Sequence, residues 1–142
     1  MIIRITIKQL GKKRNKIQEQ DFYLSNCPST VGELITEAVR TCVAGYNQRF
    51  ETKEADRAFS AEEIEDMSEI GKIAFGLNYG NRRADFDQAA ETALQAYEDG
   101  LIRIFVDGEE LGAADQSLSL CEGASCTFLK LTMLSGSFFY TW

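Results

Sequence analysis

Two adjacent arginines in the stretch "GLNYGNRR" are one candidate site for a charged ligand. Arg82 and Arg83 follow two glycines, Gly76 and Gly80. Backbone N–H groups in a glycine-containing loop can surround an anion, and a guanidinium group is a good partner for phosphate or carboxylate. The stretch therefore predicts an anion- or nucleotide-binding loop, unless it simply connects two helices, which is the more common role of such a loop.

Covalent and acid–base catalysis have few of their usual groups in this chain. It contains no histidine and no GxSxG, GxGxxG or Walker-type motif. The common nucleophile–base pairs and phosphate cradles are therefore missing. The acidic side chains of "SAEEIEDMSE" resemble a set of metal ligands. A solvated helix face explains them better, because acids are favoured near a helix N-terminus. We predict that the protein is not an enzyme and uses no cofactor.

The cysteines are the remaining candidates for metal binding. There are four of them, Cys27, Cys42, Cys121 and Cys126. No two form a CxxC pair, so the ligand spacing usual for structural zinc is missing. No secretion signal precedes them, and we therefore expect reduced thiols and no metal site.

A basic cluster near the N-terminus could bind a partner. Residues 1–16 contain six basic and no acidic side chains, whereas the whole chain has a net charge of −7. The cluster at the predicted hairpin tip consists of Lys12, Lys13, Arg14 and Lys16. It either attracts an acidic protein or a phosphate, with binding that weakens as salt rises, or it only keeps the hairpin soluble. The acidic remainder of the chain argues against general nucleic-acid binding.

The last six residues, 137–142, form an aromatic tail. It contains four large rings, those of Phe138, Phe139, Tyr140 and Trp142. Fully exposed, these rings would form an apolar patch of a kind that monomers usually avoid. We expect the tail either to fold back over a helical insertion at residues 46–100 or to anchor a partner protein or a second copy, as aromatic residues commonly do at interfaces.

The N-terminal residues predict an antiparallel hairpin. In "IIRITIKQ" one face of a strand carries Ile3, Ile5 and Ile7, and the other carries Arg4, Thr6 and Lys8. This alternation is typical of a half-buried strand. The stretch "IQEQDFYL" predicts the second strand, with Phe22 and Leu24 on its inner face.

The stretch "STVGELITEAVRTCVAG" predicts a helix over residues 30–44. Thr30 and Glu33 have the spacing of a capping box, in which each side chain bonds the other residue's backbone N–H. Apolar residues recur at helical spacing through Val43. We expect Gly45 to end the helix in the left-handed conformation and the helix to cover the hairpin.

Residues 46–100 predict a helical insertion. "FSAEEIEDMSEIGKIAFG" begins with a second capping box, Ser60 and Glu63, and "DFDQAAETALQAYEDG" predicts a helix that ends near Gly100.

"LIRIFVDGEEL" then predicts a strand, a tight turn at Asp107–Gly108 and a short return strand. A last strand over 126–134 follows the turn at Glu122–Gly123, and its Leu129, Leu131 and Met133 share a face.

This order of elements resembles the β-grasp fold of the ubiquitin-like superfamily, and most of all the sulfur carriers of thiamine and molybdopterin synthesis. The stretches "STVGELI", "IFVDGEEL" and "EGASCTFLKLTMLSG" carry the resemblance, over residues 1–45 and 100–136. It implies an α+β domain over residues 1–142 with a mixed sheet, in which strand 2–9 lies in the middle, parallel to the last strand. The family's reactive Gly-Gly terminus is replaced by Ser135–Gly136, and six residues follow.

From these features we expect a non-enzymatic protein-interaction or adaptor module in a bacterial multi-protein system. Its partner is another protein, and a homodimer is a second arrangement. Two alternatives stay open: a processed ubiquitin-like or sulfur carrier activated after cleavage at Gly136, and an anion- or nucleotide-binding domain that uses Arg82 and Arg83. The start of the chain does not resemble a signal peptide, and no apolar run approaches the ~20 residues that span a bilayer. We therefore expect a cytoplasmic protein that does not enter the membrane.

Overall fold

The computed structural model describes residues 1–9, 17–48, 70–71, 74–75, 77 and 84–131. They form an α+β structure with a mixed five-stranded sheet and two helices. The elements follow in the order β1 (Ile2–Gln9), β2 (Ile17–Tyr23), α1 (Val31–Asn47), α2 (Phe86–Glu98), β3 (Ile102–Val106), β4 (Glu109–Glu110) and β5 (Ser125–Lys130). Within these residues, no helix combines the length and the apolar character needed to span a bilayer.

The sheet has the strand order β2-β1-β5-β3-β4. Strand β1 pairs antiparallel with β2 and parallel with β5, so it is an interior strand, as the β-grasp resemblance implies. Strand β3 pairs antiparallel with both β5 and β4. The parallel pairing of the first and last strands makes the sheet compatible with a β-grasp type.

Alternation along the strands buries one face of this sheet. The inward side chains of β1 are Ile3, Ile5 and Ile7, and all three are fully buried. The prediction for the second strand is also confirmed, since Phe22 and Leu24 are buried. On β5 the buried side chains are Cys126 and Phe128, whereas Leu129 is only half-buried and lies on the side away from the core. Leu131 follows the end of the strand and is also half-buried, and Met133 lies outside the described residues.

Helix α1 covers the buried face with a continuous apolar stripe. The stripe and the inward residues of the sheet belong to one hydrophobic core. The helix continues through Gly45 to Asn47, so the predicted stop at Gly45 is wrong. Burial of Tyr46 favours the extra turn, and the Asn47 side chain accepts a hydrogen bond from Ala84 N at 2.7 Å and donates one to Ala84 O at 3.1 Å.

The N-terminus of α1 is capped by its own residues and by a distant loop. Thr30 Oγ1 accepts the N–H of Glu33 at 3.1 Å, as expected for a cap. The Glu33 carboxylate instead accepts from the N–H and the hydroxyl of Ser29, each at 2.9 Å, so the predicted capping box is shifted by one residue. The N–H of Gly32 donates to Ala114 O at 2.7 Å. A side chain at Gly32 would place its Cβ 3.1 Å from that oxygen, so any larger residue would require a small shift of the loop.

Helix α2 lies in the segment predicted as an insertion and packs against α1. Its residues Ala90 and Ala93 are buried in the same core as the sheet. The Arg40 guanidinium of α1 lies 4.4 Å from the centroid of the Phe86 ring, a favourable cation–π distance. Gly100 follows the helix with φ +79°, as predicted for its end. The capping box of Ser60 and Glu63 lies outside the described residues.

Candidate interaction surface

The candidate binding residues taken from the sequence all lie outside the described part of the chain. They are the basic cluster Lys12, Lys13, Arg14 and Lys16, the arginines Arg82 and Arg83, and the tail residues Phe138, Phe139, Tyr140 and Trp142. The three corresponding interpretations therefore remain predictions. A different surface emerges from the residues that the structure describes.

This surface is the face of the sheet opposite the helices, here called the open face. Both described helices contribute their buried side chains to the core on the other side of the sheet. The alternation of each strand assigns to the open face Ile2, Arg4, Thr6, Glu19, Asp21, Tyr23, Arg103, Phe105, Thr127 and Leu129. The strand register places these residues in rows across the sheet.

One row ends in an exposed apolar pair. Ile2 and Tyr23 are directly opposite each other on β1 and β2. Their exposed fractions are 43% and 51%, and they are the large hydrophobic residues that stand out as exposed among the described residues. A single exposed hydrophobic residue needs no explanation, but here two lie side by side, and tyrosine is among the residues that are enriched at interface hot spots.

The middle of the open face is half-buried and mixed in character. Phe105, Thr127 and Thr6 lie side by side on β3, β5 and β1. All three are only partly exposed, and Leu129 is partly exposed in the neighbouring row. Aromatic and β-branched side chains in such a row stabilise the sheet by packing across the strands, and here they form a half-buried strip of mixed character.

Charged groups separate the exposed pair from this strip. The Arg4 guanidinium lies 3.2 Å from the Glu19 carboxylate and 3.7 Å from the Asp21 carboxylate. All three side chains are exposed, so these ion pairs contribute little to stability. They give the open face a polar edge with both signs of charge, which resembles the rim of an ordinary protein interface.

A polar cluster lies on the other side of the sheet, where α1 meets the end of β2. The Glu37 carboxylate is buried, and its Oε2 accepts from Arg40 Nε at 3.3 Å and from Asn26 Nδ2 at 3.5 Å. Its Oε1 is buried without a hydrogen-bond partner. Thr41 donates its hydroxyl hydrogen to Tyr23 O at 2.5 Å, which fixes α1 to the end of β2.

Two of the four cysteines belong to the core. Burial raises the pKa of the Cys126 thiol to about 12, with a smaller effect from the negative charge of Asp107. Burial also raises the pKa of the Cys42 thiol far above its ordinary range. Both thiols therefore stay protonated at neutral pH and serve as packing groups. In the described part of the chain, no three His, Cys, Asp or Glu side chains come together as a metal site.

A groove of about 660 Å³ lies between the end of α2 and strands β3 and β4. The Tyr97 hydroxyl, which lies in this groove, donates to Leu111 O at 3.2 Å and is also bonded to Gly112 O. Burial raises the pKa of Tyr97, and the nearby Glu110 carboxylate raises it further. Arg103 Nε lies 3.8 Å from the Glu110 carboxylate. These contacts hold α2 against the β3–β4 hairpin, so we assign the groove a structural role.

Comparison with protein-family models, with curated proteins and with solved structures gives no match for this chain. Conclusions about the open face therefore come from its own side chains and strand register. Some residues of the open face can be identified from the sequence alone, because the alternation in "IIRITIKQ" places Arg4, Thr6 and Lys8 away from the core. The pairing of Ile2 with Tyr23 depends on the strand register, which the sequence pattern did not provide.

Proposed function

We propose that the chain is a non-enzymatic protein-interaction module of the β-grasp type, an adaptor that binds another protein through the open face. The observation that carries this proposal is the exposed cross-strand pair of Ile2 and Tyr23 on the side of the sheet away from both described helices. The parallel pairing of β1 with β5 supports the β-grasp part of the proposal.

The shape of the open face favours a protein over a small molecule. Small-molecule sites are usually concave and enclose most of their ligand. A twisted sheet face is a broad, open surface, and the half-buried strip around Phe105 and Thr127 suits a partner that covers a wide area. Tyrosine and other aromatic residues contribute strongly where such surfaces become buried. The charged edge around Arg4 would then set the orientation of the partner.

The experiment begins with co-purification of the full-length chain from native cells and identification of the associated protein by mass spectrometry. Affinity is then measured between purified components. The double variant Ile2→Thr/Tyr23→Thr removes the apolar pair and keeps residues suited to strands. We expect it to bind at least tenfold more weakly, with circular dichroism and melting temperature close to those of the wild type.

A matched control changes two exposed residues on α2, Gln88→Ala and Thr92→Ala. This variant should bind as the wild type does. If the Ile2/Tyr23 variant also keeps full affinity for the co-purified protein, the open face is not the binding surface. If the control variant weakens binding as much as the Ile2/Tyr23 variant does, the loss of affinity is not specific to the open face and the proposal fails.

The same sheet order favours one second candidate, a processed ubiquitin-like or sulfur carrier. In the resembling family the last strand leads to the reactive carboxylate, and here β5 is the strand that precedes Ser135–Gly136. The intact mass of the protein isolated from its own host distinguishes the two candidates. A chain ending at Gly136 supports the carrier, and a chain that still contains "SFFYTW" supports the adaptor.

A further inference from the structure

The outer edge of β2 is a row of backbone groups that no other described strand pairs with. In the order β2-β1-β5-β3-β4, strand β2 comes first, so its ladder runs along the β1 side alone. Unpaired N–H and C=O groups along the edge of a sheet can pair with a strand from another chain. Which groups of β2 point outward follows from its register with β1.

Two residues of β2 turn their backbone groups away from β1. Leu24 N donates to Met1 O at 2.8 Å, and Met1 N donates to Leu24 O at 3.1 Å, so these two residues form a bonded pair. Bonded and non-bonded pairs alternate along an antiparallel ladder. Tyr23 comes next, opposite Ile2, and Asp21 lies two residues further along, so both belong to non-bonded pairs. Their N–H and C=O groups therefore point to the outer edge.

Hydrogen bonds on the other side of β1 agree with this direction. Ile2 and Arg4 are the residues of β1 that lie opposite Tyr23 and Asp21. Both turn their backbone groups toward the segment that leads into β5, since Gly123 N donates to Ile2 O and Arg4 N donates to Ala124 O, each at 2.8 Å. Their partners on β2 must then turn the opposite way.

Three of the four outward groups are available for pairing. The fourth, the carbonyl of Tyr23, accepts the hydroxyl of Thr41 on α1 at 2.5 Å. No hydrogen bond from the described residues reaches the N–H and C=O of Asp21 or the N–H of Tyr23. The side chain of Asp21 is 74% exposed and Tyr23 is 51% exposed. A second chain can therefore approach this edge.

The side chains along this edge favour one kind of strand. Glu19 and Asp21 are both exposed, and among the described residues their cationic partner is Arg4. Two carboxylates and one guanidinium leave one excess negative charge. Like charges on neighbouring strands are destabilising and opposite charges are favourable. Next to this charge, Tyr23 continues the exposed apolar pair of the open face. The edge therefore suits a strand with basic and apolar side chains.

The same edge also carries features that limit pairing. The register of β2 with β1 shifts between Ile5 and Ile7, which indicates a bulge beyond Gln20. Bulges and charged side chains prevent edge strands from pairing at random. The bulge restricts regular pairing to the segment from Gln20 to Tyr23, and the carboxylates disfavour an acidic strand. Both features make the edge selective and leave its three outward groups accessible.

We propose that an extended segment of the bound protein adds to the outer edge of β2, with a lysine or arginine beside Asp21 and an apolar residue beside Tyr23. This inference rests on the proposed function, because it names the part of the partner that lies next to the Ile2–Tyr23 pair. In such strand addition, main-chain hydrogen bonds give affinity and alternate side chains give specificity. The two recognised side chains are two positions apart and lie on one face of the added strand.

The test uses the full-length chain and a synthetic peptide, acetyl-TKTVTKTV-amide, whose lysines and valines share one face when the peptide is extended. The control peptide, acetyl-TETVTETV-amide, has glutamate in place of lysine. NMR titration of the isotope-labelled chain measures both affinities. We expect a Kd below about 1 mM for the basic peptide, at least tenfold weaker binding of the acidic one, and loss of affinity as salt rises. Hydrogen exchange should slow at the Asp21 and Tyr23 amides.

Three variants of one residue distinguish the backbone edge from its charge. Asp21→Pro removes an outward N–H and keeps the bonds between β1 and β2, since an edge strand tolerates proline where the N–H faces solvent. It should bind the basic peptide at least tenfold more weakly. Asp21→Thr keeps the N–H and should show intermediate affinity with a smaller salt dependence. Asp21→Lys keeps the whole backbone edge, and it should lower the ratio of basic to acidic affinity at least fivefold even if the proline variant does not fold.

Several results would overturn the strand addition. They are a basic peptide that does not bind up to about 1 mM, equal affinity for both peptides, and a dimer of the chain that Asp21→Pro disrupts, which would assign the edge to a second copy. A co-purified protein that loses affinity for Ile2→Thr/Tyr23→Thr but not for Asp21→Pro would exclude the edge and leave the open face as the binding surface. Full affinity for both variants would refute the proposed function as well.

Discussion

Glu37 illustrates how a single side chain can oppose the stability of the fold that contains it. Its carboxylate is buried and bonds Arg40 and Asn26 through Oε2, but Oε1 is buried without a partner. An unsatisfied buried acceptor costs about 1–3 kcal/mol. Arg40 and Asn26 are both exposed and can turn to water. We therefore expect burial of the carboxylate to cost more than its ion pair with Arg40 contributes.

Replacing the Glu37 side chain by an apolar one of similar length should consequently stabilise the protein. We expect Glu37→Met to raise the free energy of unfolding by about 1 kcal/mol, measured by urea denaturation, since apolar replacement of a poorly satisfied buried charge is often stabilising. Glu91→Met, at an exposed position on α2, is the control and should change stability by less than about 0.5 kcal/mol. A loss of stability in Glu37→Met would show that the carboxylate is satisfied in solution.

Glu33 gives a prediction about pH. The Ser29 backbone N–H, followed by the Ser29 hydroxyl, lowers the pKa of the Glu33 carboxyl. The pKa is lower in the folded than in the unfolded state, so the stabilisation is present above about pH 4.3, the usual value for glutamic acid, and is lost as the pH falls through the lowered value. Stability measured from pH 7 to pH 3 should decline less for Glu33→Gln than for the wild type. Ser29→Ala keeps the backbone donor and should lie between the two.

At the scale of elements, the β3–β4 hairpin depends on its turn. Asp107 has φ +50° and Gly108 has φ +88°, the left-handed conformations that a two-residue hairpin turn requires. The Asp107 side chain also accepts the N–H of Ser125 at 3.0 Å, which connects the turn to β5. Asp107 is therefore suited to this position by its tolerance of positive φ and by its hydrogen bond.

Two substitutions of Asp107 distinguish its backbone conformation and its hydrogen bond to Ser125 from the effect of its negative charge. We expect Asp107→Ala to lower the free energy of unfolding by about 1–2 kcal/mol, because alanine adopts the left-handed conformation poorly and lacks the acceptor. Asp107→Asn retains both the conformational tolerance and an acceptor oxygen, so it should remain within about 0.5 kcal/mol of the wild type. Thermal or urea unfolding of the three proteins gives the comparison. Equal losses in both variants would assign the effect to charge instead.

Much of the fold was predictable because local patterns determine it. The alternation around Ile5, the apolar stripe of α1 and the Asp107–Gly108 turn each specify an element without help from distant residues. One error occurred where a tertiary contact decides, because burial of Tyr46 carries α1 past Gly45. The other is local, since Ser29 replaces the neighbouring Thr30 as the donor to the Glu33 carboxylate. The alternation of each strand assigns a residue to one face of the sheet. Which residues of neighbouring strands lie opposite each other depends on the strand register, which the sequence pattern alone does not provide.

At the scale of the whole molecule, the two faces of the sheet differ in how deeply their side chains are buried. Phe128 on β5 is fully buried on the helix side, and its ring packs edge-on against Phe75 with centroids 5.3 Å apart. Phe105 on the neighbouring strand points to the open face and is only half-buried. These two phenylalanines lie on adjacent strands but on opposite faces of the sheet. Substituting them one at a time therefore compares the effect of the core on stability with the effect of the open face.

Substitution of each phenylalanine tests this division and the proposed interface together. Phe128→Ala should cost about 3–5 kcal/mol, a large part of the ~5–15 kcal/mol that stabilises an ordinary domain. Phe105→Thr keeps a residue that suits strands, so its cost should be about 1 kcal/mol or less, while binding of the co-purified partner weakens severalfold. Denaturation curves and affinities of both variants provide the measurement. If Phe105→Thr destabilises the isolated protein as much as Phe128→Ala does, the open face is covered within the folded chain itself, and the partner must bind elsewhere.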